Sequence, residues 1–274
     1  MTIAFGGRRR DVRNWLKAFV QSQDRTPIVV AGHSHVICFG IVPAKEARLI
    51  ELRPEPRVLG VQAPFLDMEA EALAETISTL ARGHRLVVLW SGWSDLLFMG
   101  DPLFDFVSSE FPGLPLEPGA TPVPEAMVRT HESLRHYPNM MVHYLKRFRR
   151  AGIRNLTVLS QPPPKRSSDV IRQRLFTENI LVDRAKALGF DIRTVPITPP
   201  FIRLKLWALI HQMNRAAAKE VGAAYVPVPR EAQDEHGFLR EEYWYKDVMH
   251  ANDRYGRLYL DHVVTALQPK SQRF

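Results

Sequence analysis

The residues best suited to chemistry stand near the two ends of the chain. Close to the start, Gly32-His33-Ser34-His35 follows the apolar run Ile28-Val29-Val30-Ala31, and close to the end Asp247-Val248-Met249-His250 precedes an amphipathic run reaching Leu267. A serine hydroxyl is a weak nucleophile until a base removes its proton, and an aspartate bonded to that base fixes its tautomer and steadies the imidazolium. An aspartate and a histidine three residues apart share one side of a helix-like turn and can reach each other. Ser34 therefore reads as a nucleophile, His250 as its general base and Asp247 as the orienting carboxylate. The chemistry implied is acyl transfer through a serine. The bland alternative is that a glycine and polar residues after a strand simply form a turn.

Serine early in the chain, with aspartate and histidine as D-x-x-H near its end, resembles the SGNH (GDSL-type) hydrolase family. That resemblance implies a serine esterase or deacetylase, or an acyltransferase working through the same acyl-serine. It also implies backbone and side-chain donors for the developing oxyanion: the Ser34 amide, a glycine after the second strand, and a G-x-N-D block. Gly60 is the glycine of the second strand, with the amides of Gln62 or Ala63 as substitutes. Gly92-Trp93-Ser94-Asp95 aligns with the G-x-N-D block, so Gly92 and Ser94 are the further oxyanion residues, with serine standing where the family has asparagine. His33 occupies the position of the usual aspartate beside the nucleophile. His33, His35, Trp93, Asp95 and Gln161 are left to line the pocket. The alternative reading is an SGNH-fold module with weak or no catalysis that binds carbohydrate or a protein partner. Two other families fit poorly. Gly-His-Ser-His resembles the last motif of calcineurin-like metallophosphoesterases, but nothing precedes it, so no metal is expected. The α/β-hydrolase elbow G-x-S-x-G would place glycine at Val36.

Elements able to carry these residues are legible around them. Ile28–Gly32 reads as a buried strand that stops at Gly32, where a glycine lets the backbone turn. Arg57–Val61, Arg85–Trp90, Asn155–Ser160 and Ala224–Val228 read as further strands, the last near an edge because of Pro227. Helices are expected over 67–82, 124–151, 171–188 (closed by Gly189), 201–221 (closed by Gly222) and from Asn252 or Asp253 onward. Residues 190–197 read as a short edge strand. Repeated alternation of strand and helix implies a parallel sheet covered on both faces, hence one three-layer α/β/α sandwich, flavodoxin-like in general shape, over residues 1–274, and the family resemblance implies that it is of SGNH-hydrolase type. Two additions stand out. Val12, Trp15, Leu16, Phe19 and Val20 mark an amphipathic helix over about 8–22. A proline-rich insertion over about 98–125, with Phe104, Phe106, Phe111 and Leu114, reads as an apolar lid or, alternatively, as a disordered or partner-binding segment.

Composition narrows the classes. With 45% hydrophobic and 24% charged residues in 274, the chain is an ordinary globule with room for a sizeable core. Its formal charge of +8 comes with only short basic clusters, Arg8–Arg10, Lys146–Arg150 and Lys165-Arg166. The first two lie on expected helices and read as solvated faces, and no known nucleic-acid module surrounds any of the three, so no nucleic-acid partner is expected. No run is long enough to span a membrane, and the first residues lack the apolar core of a secretory signal. The single Cys38 forms no internal disulfide and suits a cytoplasmic location. No cofactor is implied. The expected partner is a small ester, such as an acylated sugar.

Overall fold

The computed structural model describes residues 2–4, 28–32, 34–40, 48–51, 58–62, 77–78, 81, 84–89, 97–98, 103–177 and 179–267. The main sheet is built from β1 (Thr2–Ala4), β2 (Ile28–Gly32), β3 (Arg48–Glu51), β4 (Val58–Gln62) and β5 (Arg85–Leu89), and later in the chain from β8 (Asn155–Leu159) and β9 (Ala224–Val226). Between them β6 (Phe104–Asp105) and β7 (Thr121–Pro122) pair as a small separate ladder. The order across the main sheet is β1-β3-β4-β2-β5-β8-β9. The strands β4, β2, β5, β8 and β9 run parallel, while β1 and β3 extend one edge antiparallel. Taken alone, the five parallel strands follow the order 2-1-3-4-5 of flavodoxin-like doubly wound sheets. The sequence pattern does not predict the antiparallel extension. Its strands are three and four residues long, too short for a periodic signal.

Alternation along the central strands divides the core. Val29, Ala31, Leu86, Val88, Leu156 and Val158 face one side, where they meet Met141, Leu145 and Phe148. Val30, Val87, Leu89 and Leu159 face the other, against Tyr255, Tyr259 and Val263. The first set of partners lies on α2 (Glu132–Arg150), which follows the short α1 (Glu125–Arg129). The second lies on α6 (Asp253–Leu267). Helices on both faces of a mainly parallel sheet make the three-layer α/β/α sandwich expected from the sequence. The fifth helix, α5 (Pro200–Glu220), spans more than one core: Ala217 and Ala218 join the first, whereas Leu204 and Trp207 join the second.

A third core contains, among the described residues, none from the main sheet. Phe106, Val128, Ile171, Leu175, Leu181, Ile202, Leu206 and Val248 come together around the N-terminal half of α5, with α3 (Ser168–Arg174) and α4 (Asn179–Ala187). The insertion belongs here. It is held as structure by an ion pair out of contact with water, Lys205 Nζ to Asp105 Oδ2 at 2.8 Å, with side-chain exposures of 0% and 1%. Lys205 also donates to the Pro115 carbonyl, and Asp105 accepts from the amides of Phe106 and Glu117. Each buried charge is thus fully partnered, the condition for tolerating it.

Three elements differ from expectation. The helix over 124–151 is two, because Thr130 closes α1 with its hydroxyl on the Met127 carbonyl and His131 is extended. The helix over 171–188 starts at Ser168 on a Ser167 cap and is interrupted by a 3-10 turn at Leu175–Thr177. Residues 190–197 form no strand, only a single bridge from Ile197 to Phe98. Gly189 and Gly222 do close their helices, with φ of 80° and 68°. The expected helices over 8–22 and 67–82 lie outside the described residues, apart from Ile77 and Ser78, which are helical, and Ala81, which lies in a turn.

Candidate active site

Ser34 opens a 3-10 helix, Ser34–Phe39, that begins where β2 ends. Its side chain is half-buried while those of His35, Val36, Cys38 and Phe39 are buried. Two glycines seat this turn. A Cβ on Gly32 would lie 2.0 Å from the Leu89 carbonyl oxygen, and one on Gly256 would lie 1.9 Å from the Cys38 carbonyl oxygen. Gly32 is therefore required by the closeness of β5, and not by an unusual turn, since it is absent from the glycines with positive φ. Gly256 lets α6 press directly on the 3-10 helix. The same helix carries His250 just ahead of its N-terminus, so one contact fixes both halves of the site.

Asp247 and His250 are joined as their spacing implies. His250 Nδ1 is 2.7 Å from Asp247 Oδ2, and Asp247 Oδ1 accepts from the amides of His250 at 2.8 Å and Met249 at 3.0 Å. Burial alone would raise the Asp247 carboxyl. The bonds from the His250 ring and amide, together with the nearby charges of His250 and Lys165, outweigh it and hold the group at about 2. An ionised carboxylate only accepts, so Nδ1 carries the proton and Nε2 of a neutral ring is a lone-pair acceptor. That Nε2 is buried and has no hydrogen-bond partner, Ser34 included. The ring packs instead on His35, with centroids 4.9 Å apart. The backbone around His250 is pinned by bonds from the Tyr245 amide to its carbonyl and from the Asn252 amide to Tyr243. Asn252 then caps α6 by accepting from Arg254 and Tyr255.

The remaining sequence-derived residues divide. Gly60 is misplaced: it pairs with Val30, mid-strand, two residues or about 6.6 Å below the level of Gly32. Continuing the register puts Gln62, at the end of β4, level with Gly32. Gln161, just beyond β8, is buried, and both polar atoms of its side chain lack partners. His33, Gly92, Trp93, Ser94 and Asp95 lie outside the described residues.

Sequence reasoning missed the basic groups behind Asp247. Lys165, fully buried, donates to the carbonyls of Tyr245 (2.8 Å) and Asp247, and its Nζ is 3.8 Å from Asp247 Oδ1. Arg174 bonds the same two carbonyls. Arg203, also buried, holds the carbonyls of Lys165 and Arg166. Three prolines before Lys165 were the available signal: they make a stiff extended run that delivers the next side chain to a fixed place.

A second serine and histidine meet elsewhere. Ser160, at the end of β8, is hydrogen-bonded to Nδ1 of His211 on α5. Burial, and secondarily the charge of Arg215, lower His211 to about 4 despite an opposing pull from Glu110. His211 also lines a cavity of about 550 Å³ with Trp207, Phe111 and Arg215, to which neither Ser34 nor His250 contributes. Among the described residues, no group of three or more His, Cys, Asp or Glu is placed to hold a metal, and no helix is long and apolar enough to cross a membrane.

The geometry defines a doubly wound α/β protein with a half-buried serine and an aspartate-fixed histidine at the C-terminal ends of its strands. No protein-family model matches the chain, and no curated protein matches it. Among solved structures it is similar to a GDSL-like lipase from Bacteroides thetaiotaomicron, at 10% identity over 93% of this chain and 96% of that one, with a TM-score of 0.43. It is also similar to a carbohydrate acetylesterase from Sinorhizobium meliloti, at 9% identity over 89% and 100%, with a TM-score of 0.41.

Proposed function

We propose that the chain is a serine-dependent ester hydrolase or acyltransferase. The observation that carries this reading is the fixed tautomer of His250: with Nδ1 committed to Asp247, its partnerless Nε2 is the ring atom left to accept a proton, next to the turn that opens with Ser34. In the reaction, Nε2 takes the Ser34 proton as Oγ attacks the ester carbonyl carbon. The tetrahedral intermediate collapses, His250 returns the proton to the departing alcohol, and an acyl-serine remains. Water or a second alcohol then attacks the acyl carbon while Nε2 accepts its proton, and the serine is regenerated. The Ser34 amide is the first oxyanion donor, and the Ser94 hydroxyl and the Gly92 amide are further ones. Gly60 is dropped from this set. An acetyl group on a sugar is the substrate class proposed.

One observation favours the alternative of a binding module with weak or no catalysis: His250 Nε2 and Ser34 are not hydrogen-bonded to each other. Such bonds often tighten only with substrate bound. Fluorophosphonate labelling with peptide mass spectrometry separates the two readings. The hydrolase reading expects an adduct on Ser34 that forms at least about 10³-fold more slowly in His250→Ala. A folded protein that stays unlabelled, or that labels at Ser34 regardless of His250, overturns it.

A further inference from the structure

We infer that Lys165 is a positioning residue for the Asp247–His250 pair, acting from behind the aspartate and never touching substrate. The inference rests on the hydrolase reading for its consequence, but not for its geometry.

A lysine with 0% side-chain exposure is rare, because the ammonium gives up strong hydration on burial. In the sequence Lys165 is one of two adjacent cations, and the other, Arg166, is exposed. Lys165 points the other way. Its ammonium joins the two carbonyls that flank Lys246, those of Tyr245 and Asp247, and sits 5.9 Å from the Trp244 ring centroid. It therefore grips the segment carrying the carboxylate by backbone oxygens, at a point three residues before His250. At 3.8 Å it also faces Asp247 Oδ1, the oxygen that accepts the amides of Met249 and His250. Oδ2 is left to the imidazole.

The grip has a rigid mount. Pro162, Pro163 and Pro164 are buried between the end of β8 and Lys165, and the Pro164 carbonyl accepts from the Leu239 amide. Arg203, fixed on α5, bonds the Lys165 carbonyl at 3.1 Å, the Arg166 carbonyl at 2.9 Å and the Ser168 hydroxyl at 3.2 Å. A line of bonds thus runs from α5 through the proline segment to the ammonium, the aspartate and the imidazole. The charged groups around Asp247 are His250 ahead of α6, Lys165 from the proline segment and Arg174 from α3. The Lys165 charge favours the ionised carboxylate, which the tautomer of His250 requires, while Arg174 bonds the backbone carbonyl of Asp247.

The test uses the full chain, with Lys165→Met and Lys165→Arg beside the unaltered protein. Two readouts are taken: the second-order rate of fluorophosphonate labelling at Ser34, and the low-field proton resonance of His250 Nδ1–H against pH. Lys165→Met is expected to label on the order of 10²-fold more slowly, the scale of a misplaced catalytic group. Its low-field resonance is expected to vanish or to be lost at a higher pH on acidification. Lys165→Arg keeps the charge but not the single donor atom, and is expected to recover the resonance and part of the rate. Should Lys165→Met not fold, the Arg variant decides: a rate and resonance identical to the unaltered protein overturn the inference. Unchanged labelling and resonance in a folded Lys165→Met overturn it as well. If the unaltered protein does not label but its resonance is lost in Lys165→Met, the hydrolase reading fails while the positioning role stands.

Discussion

Two serine–histidine pairs sit at strand ends in this fold, and the one that is hydrogen-bonded is the one less equipped for chemistry. Ser160 is 1% exposed, and its His211 partner is bonded through Nδ1, with no carboxylate among the described residues hydrogen-bonded to the ring. Ser34 is half-buried, and His250 has its Nδ1 occupied by Asp247 and its Nε2 unspent. A base must be aimed by one ring nitrogen to act with the other. His211 uses its Nδ1 to hold a structural hydroxyl, whereas His250 uses its own to be held. On the proposed reading, the occupant of the far nitrogen marks the reactive pair better than proximity of the two side chains does.

The largest effect that can break this comparison comes from Asp247→Asn set against Ser160→Ala. The first should slow labelling of Ser34 by about 10³–10⁴-fold, because an amide can present its N–H to the ring and stabilise the wrong tautomer. The second should leave the rate within about twofold. Equal losses in the two variants would mean that the pairs are not different in kind.

Gly256→Ala tests whether the first pair depends on its seat. A methyl 1.9 Å from the Cys38 oxygen must push α6 off the 3-10 helix, since that neighbour is backbone. A loss of about 3 kcal/mol is expected from overpacking. Denaturant unfolding gives that loss, and labelling should slow in the fraction that stays folded. Normal stability would show that α6 shifts freely.

The smallest effect concerns the second pair. His211 titrates at about 4 in the folded chain against an ordinary value of 6.5, so the unfolded state binds the extra proton first. The stability it confers is complete above pH 6.5 and is lost as pH falls toward 4, at up to about 1.4 kcal/mol per pH unit. Between pH 6.5 and 5 that amounts to about 2 kcal/mol. His211→Gln should flatten this part of the profile in thermal melts, relative to the unaltered protein. An unchanged slope would mean that His211 is charged in the folded chain.

The sequence makes the parallel strands readable because Ile28–Gly32, Arg85–Leu89 and Asn155–Leu159 are, past their first residues, buried on both faces and thus mainly apolar. Asp247 and His250 are equally readable, since a spacing of three makes their contact local. What escapes is set by distance along the chain. Thr130 and His131 break a helix through a hydroxyl and one extended residue, features that periodicity does not register. Gly60 looks like a strand end only until its pairing with Val30 is known. Lys165, Arg203 and Lys205 look solvated because the carbonyls and carboxylate that satisfy them lie elsewhere in the sequence.

The Lys205–Asp105 pair has a consequence for how the chain can be altered. Because the aspartate belongs to the insertion and the lysine to α5, the two segments are not modules that can be traded separately. Excising the insertion would strand a cation inside the protein, a defect of several kcal/mol at a stroke. A shortened chain would therefore need an apolar residue at position 205 in the same step. Between relatives built on this plan, gain or loss of the insertion should be accompanied by a matched exchange on the helix.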